Sequence, residues 1–121
     1  MARTAVAYSN LLANSSLADP AGTAVTSGAG NGGQVAAAFP ELTLLRVSNA
    51  SGGSGTATVL AGSLPLAIAS GQGNLAVTVA NGATQWIGPV ESGRFLQNDG
   101  SLIVETSVAM TVTAFKVPRN T

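Results

Sequence analysis

From residue 41 onward, short runs rich in Val, Leu and Thr are separated by clusters of Gly, Asn and Ser. Residues 42–48, 56–61, 75–80, 84–87, 94–97, 102–106 and 110–117 each have the length and β-favouring content of a strand. Period two is clearest where Leu75, Val77 and Val79 fall on one side and Ala76, Thr78 and Ala80 on the other, which marks a strand with one buried face. Strands at this spacing predict an all-β fold, an antiparallel β-sandwich or barrel of jelly-roll-like kind.

Turn chemistry supports that parsing. Asn98-Asp99-Gly100 lies between Phe95-Leu96-Gln97 and Leu102-Ile103-Val104, and Asn81-Gly82 lies between Val79 and Trp86. Asx-Gly pairs tolerate positive φ, so both are read as hairpin turns. Ser51-Gly52-Gly53-Ser54-Gly55 and Gly71-Gln72-Gly73 read as flexible loops before strands. The first forty residues differ. Residues 8–17 fit a short helix that Asp19-Pro20 ends, and residues 21–34 are mostly Gly, Ala, Ser, Thr and Asn. An extended N-terminal arm or long surface loop over 1–40 is expected, ahead of a β domain over 41–121.

Composition then narrows the chemistry. The 121 residues include no His, no Cys and ten charged side chains of zero net charge, and residues 47–90 carry no ionisable group at all. A Ser-His nucleophile pair is impossible, and Lys116, the single lysine, makes a Ser-Lys pair improbable. Thiolate and imidazole metal ligands are missing, and the five carboxylates, Asp19, Glu41, Glu91, Asp99 and Glu105, do not cluster as calcium ligands do. They read as solvated charges at turns and strand edges rather than as a glycosidase pair. No cofactor, no metal and no enzymatic activity are expected. The five basic residues are scattered singly, so nucleic acid is not an expected partner. Polar residues interrupt every apolar run well short of the ~18 residues of a membrane span, and the N-terminus makes a poor signal peptide, so the chain reads as soluble and unexported. The sequons Asn14-Ser15-Ser16 and Asn49-Ala50-Ser51 carry little weight without secretion.

Gly28-Ala29-Gly30-Asn31-Gly32-Gly33 matches the G-x-G-x-x-G phosphate loop in form but lacks room for the helix that mechanism needs before Pro40. Ala supplies 21 of the apolar residues and aromatics only five, so burial within one copy is modest and further burial in an oligomer or against a larger partner is expected. Trp86 is preferred as a half-buried residue filling an Ala-rich core, with sugar stacking as the alternative. Arg94 and Phe95 are read as interface anchors, because Trp, Arg and Tyr are frequent at binding hot spots.

Three segments carry a family resemblance. They are Gly71-Gln72-Gly73-Asn74-Leu75, then Gly88-Pro89-Val90-Glu91-Ser92-Gly93-Arg94-Phe95-Leu96-Gln97-Asn98-Asp99-Gly100-Ser101-Leu102, and Val112-Thr113-Ala114-Phe115-Lys116-Val117-Pro118-Arg119. With Leu17-Ala18-Asp19-Pro20-Ala21-Gly22-Thr23, they make most of the chain resemble the small head decoration, or cement and minor capsid, proteins of tailed bacteriophages. The resemblance implies a β-rich module made in the host cytoplasm and placed on the capsid exterior of the virion. Its implied partners are the major capsid protein and further copies of itself, as a homotrimer or another symmetric oligomer, and it implies no catalytic residue. Arg3, Tyr8, Leu11, Leu12, Trp86, Arg94 and Phe95 are the expected partner-binding residues. The rival expectation is a carbohydrate-binding or fibre-associated module of a virion surface.

Overall fold

Residues 43–48, 55–59 and 102–106 alternate buried with half-buried positions, and the only place for the buried sides is between two layers. The computed structural model describes residues 3–12, 14–63 and 73–117. Ten strands occur among them: β1 (Thr4–Ala5), β2 (Tyr8–Asn10), β3 (Thr23–Val25), β4 (Gly33–Val35), β5 (Thr43–Ser48), β6 (Gly55–Val59), β7 (Leu75–Val79), β8 (Thr84–Ile87), β9 (Leu102–Thr106) and β10 (Met110–Lys116). Sheet A runs β1-β4-β9-β6-β7, and sheet B runs β2-β10-β5-β8 with β3 also paired to β10. Neither sheet closes on itself, so the fold is an all-β sandwich rather than a barrel.

Both sheets are mixed. β1 runs parallel to β4, and β2 runs parallel to the end of β10, while the remaining pairs are antiparallel. The extended N-terminal stretch therefore supplies strands to both layers, with β1 and β4 in sheet A and β2 and β3 in sheet B. Residues 8–17 do not begin a helix: Tyr8 to Asn10 pair with Ala114 to Lys116, because the open side of β10 offers them a hydrogen-bonding partner. β2 and β3 lie end to end along that side of β10.

The core is Val-rich: nine of the sixteen buried apolar residues that cluster between the sheets are Val, and Phe95 is the single aromatic among them. Such β-branched residues fill a pleated interface well but bury less area each than aromatics. In β7 the expected alternation is present, with Val79 fully buried and Ala76 and Thr78 exposed.

Three expectations need correction. Residues 94–97 are not a strand; Ser92–Phe95 form a helical turn (α1), with the N–H groups of Arg94 and Phe95 bonded to Glu91 O and that of Leu96 to Ser92 O, which swings Phe95 into the core. The Asn98-Asp99-Gly100 turn is present but consequently joins a helical turn, not a strand, to β9. Asn81-Gly82 also turns the chain, yet β7 pairs with β6 and β8 with β5, so this turn crosses from sheet A to sheet B instead of closing a hairpin. Turn chemistry sets local φ, here +79° at Gly82 and +84° at Gly100, but not which sheet the next strand joins. Gly71, Gln72, Pro118 and Arg119 lie outside the described residues.

Candidate functional site

Trp86 is not a core residue. It is 56% exposed, because Ile87 takes the inward position on β8 and Trp86, opposite Arg46 of β5, takes the outward one. Its ring lies 5.4 Å from that of Phe115 on β10, centroid to centroid. The Arg46 guanidinium carbon sits 6.0 Å from the Trp86 centroid and 5.4 Å from that of Phe115, within cation–π range of both. Arg46 also donates to Asp19 Oδ1, to the Pro20 carbonyl at 2.6 Å and to Thr113 Oγ1 at 3.1 Å, so residues 19–20 are drawn over the outer face of sheet B.

The strand registers extend this face. Phe115 stands opposite Leu44 on one side and Ser9 on the other, and two residues further along the same alternation come Val117, Leu42 and Leu11. Those three, with Asn10, Leu12, Phe39 and Lys116, line an open groove of about 510 Å³. Leu12 is 67% and Phe39 48% exposed, and Lys116 Nζ stands 4.0 Å above the Phe39 ring. One face of sheet B thus carries a largely apolar stripe from Trp86 to the Leu11 and Leu12 groove, open at Trp86, Leu12 and Phe39 and covered between them at Phe115, which is buried.

The structure brings together Trp86, Leu11 and Leu12 of the expected partner-binding residues on this face or its rim. Tyr8 stands at its border in a structural role: Thr43 Oγ1 donates to Phe39 O at 2.7 Å, so the Tyr8 hydroxyl donates to Thr43 Oγ1 at 2.6 Å and accepts the Phe39 N–H at 2.9 Å. Arg3 lies on sheet A, ion-paired with Glu105 at 2.9 Å and bonded to Asn31 O. Phe95 is buried in the core, and Arg94 lies over its ring at 4.6 Å while donating to Gly73 O at 3.2 Å. Arg46, Phe39, Leu42, Phe115, Lys116 and Val117 belong to the face without having been singled out. Their signal was present in the sequence: β5 and β10 carry bulky residues at Leu44 and Phe115, on the parity opposite to their core residues.

The carboxylates are not all solvated edge charges. Glu105 is mid-strand with its side chain 19% exposed, and its Oε2 also accepts the Gly30 N–H at 2.8 Å. A loop amide that would meet a phosphate in a G-x-G-x-x-G site is thereby committed to a carboxylate, and the segment leads into β4 rather than a helix. Glu41 is held below its ordinary pKa by the Ser92 N–H, and Asp99 by the hydroxyl and N–H of Ser101. Asn49 is buried, donating to Gly53 O and Val79 O and accepting from the Ser51 N–H and hydroxyl, so the nitrogen a glycan would join is already bonded twice.

Among the described residues no group of three or more His, Cys, Asp or Glu is placed to hold a metal ion, and no helix is long and apolar enough to cross a membrane. No protein-family model, curated protein or solved structure matches the chain.

Proposed function

We propose that the chain is a structural virion protein that binds the outside of an assembled phage capsid and stabilises contacts between major capsid subunits. The observation that carries this reading is the outward Trp86, mounted on Phe115 and Arg46 at the head of a stripe that ends in the Leu11 and Leu12 groove. An exposed apolar patch of this kind on a β-sandwich is a contact surface, and Trp and Arg are the residues that most often dominate binding energy. The resemblance of the sequence to decoration proteins supplies the partner, and repeated weak contacts across a shell would multiply into tight binding. Sedimenting purified protein with undecorated shells tests it. Wild-type protein should pellet with the shells and Trp86→Ala should stay in the supernatant; a wild-type protein that never pellets would overturn the reading.

One observation favours a second reading. Trp86 stands exposed on the outer face beside Thr84 and the Arg46 guanidinium, an arrangement on which a sugar ring could stack. Phe39 is the only other exposed aromatic among the described residues and lies in the groove, so a glycan would rest on a single platform. Glycan-array binding that disappears in Trp86→Ala, with shell binding absent, would favour it.

A further inference from the structure

The charges of the chain are segregated by strand. β6, β7 and β8 all fall within the uncharged stretch 47–90, so the side of the sandwich where β7 closes sheet A and β8 closes sheet B has no charged residue on either strand. Soluble sandwiches normally guard such edges with Lys, Pro or a bulge against pairing with another chain. β8 has none of these within Thr84–Ile87, and Thr84, Gln85 and Trp86 are successively exposed. The opposite edges are occupied differently: β1 carries the Arg3 to Glu105 ion pair in its flank, and β2 and β3 share one side of β10.

The two uncharged edges are not equivalent. β7 is tied at both ends, since Val79 O accepts from Asn49, and Asn74, just before it, accepts from Ala61 through Oδ1 and from Arg94 through its carbonyl. β8 pairs with β5 on one side, and among the described residues no strand pairs with its other side. Ala83 O accepts the Asn49 N–H, which turns Ala83 toward β5. By the alternation of an antiparallel ladder, Gln85 and Ile87 also direct their backbone groups to β5, and Thr84 and Trp86 direct theirs to the open side.

We infer that β8 is a self-pairing edge, joining a second copy of this chain in an antiparallel two-fold centred on Gln85. In that register Thr84 faces Trp86 of the second copy, and their outward N–H and C=O groups satisfy one another on both sides of the axis. Their side chains form an aromatic and β-branched cross-strand pair on the outer face. Gln85 faces its own symmetry mate as a non-hydrogen-bonded pair, where Cα atoms approach to about 4.5 Å. No like charges meet, which is why this edge tolerates a copy of itself. The sheet B faces of the two copies become one continuous surface bearing two Trp86 platforms. The pairing does not depend on the virion reading, so a chain that dimerises through β8 yet ignores shells would retain it.

Residue 85 meets itself only in this register, which makes the test specific. Wild-type protein in sedimentation equilibrium should reach a dimer as concentration rises. Gln85→Lys and Gln85→Glu, exposed changes with the fold checked by circular dichroism, should each weaken the dimer by about tenfold or more, and mixing them in equal amounts should restore it. Gln85→Cys, in a chain otherwise free of cysteine, should form a disulfide-linked dimer on mild oxidation, while Thr78→Cys on β7 should not. A wild type that stays monomeric, a trimer, charge variants that dimerise unchanged, or a mixture that fails to re-form the dimer would each overturn the proposal.

Discussion

Arg46 holds its guanidinium carbon 5.4 Å from the Phe115 ring centroid while its nitrogens reach across sheet B to Asp19, Pro20 and Thr113. Its side chain is only 14% exposed, whereas that of Asp19 is 82% exposed, so the ion pair itself contributes little. The partly buried bonds to Pro20 O and Thr113 Oγ1 and the ring contacts carry most of the effect. Arg46→Ala is expected to cost about 1–3 kcal/mol in urea unfolding. Arg46→Lys should recover little of it, because an ammonium cannot reproduce the planar fork that reaches three acceptors.

Acid should weaken the fold through two local carboxylates. The Ser92 N–H lowers the pKa of Glu41 from its ordinary 4.5, and the Ser101 hydroxyl and N–H lower that of Asp99 from 3.8. A folded pKa below the unfolded one contributes stability that is fully present above the unfolded value and is lost as pH falls through the folded one. The urea midpoint should therefore decline as pH drops from about 5 toward about 3. Glu41→Gln should flatten the upper part of that decline, and Asp99→Asn the lower part. An unchanged slope in both variants would show that other groups govern acid unfolding.

Most strands after residue 41 were legible because they bury a face of their own: β7 and β9 show their alternation with no knowledge of their partners. The N-terminal strands were not legible, since β1 has two residues and β2, β3 and β4 three each, and partners such as β9 and β10 rather than their own pattern hold them. Trp86 was misplaced because its size argued for the core, while the position of Ile87 one residue later decided which side it faces. Phe95 shows the converse: its β-favouring neighbours suggested a strand, and three backbone bonds to Glu91 and Ser92 made a helical turn that inserts it between the sheets.

The Tyr8, Thr43 and Phe39 circuit joins β2, β5 and the turn Pro40–Leu42 through one buried hydroxyl. Tyr8→Phe keeps the ring and removes two hydrogen bonds, for an expected loss of about 1–2 kcal/mol. Thr43→Val removes the shared partner, leaving the Tyr8 hydroxyl without its acceptor and Phe39 O with only the Leu42 N–H, and should cost a similar amount. Because both substitutions break the same Tyr8 to Thr43 bond, the double variant should lose less than the two single losses added together. Simple additivity in denaturant melts would show that the two hydroxyls act independently.

Gly32 makes the sharpest stability prediction. Its φ of +92° is unfavourable for any side chain, and a Cβ there would collide with the Val104 carbonyl oxygen and lie 2.9 Å from Glu105 Cα, both on the neighbouring strand β9. Gly52 has a similar φ of +101° but nothing within 4 Å of its would-be Cβ. Gly52→Ala should thus cost only the backbone strain, about 1–2 kcal/mol. Gly32→Ala should cost about 2–4 kcal/mol, because β9 is central in sheet A and cannot retreat without loosening its pairing with β4 and β6. The difference isolates the steric contact from the strain. Equal losses would mean that the loop shifts away from β9, and Glu105 should then lose its bonds to Arg3 and Gly30, seen as faster hydrogen exchange of the Gly30 amide.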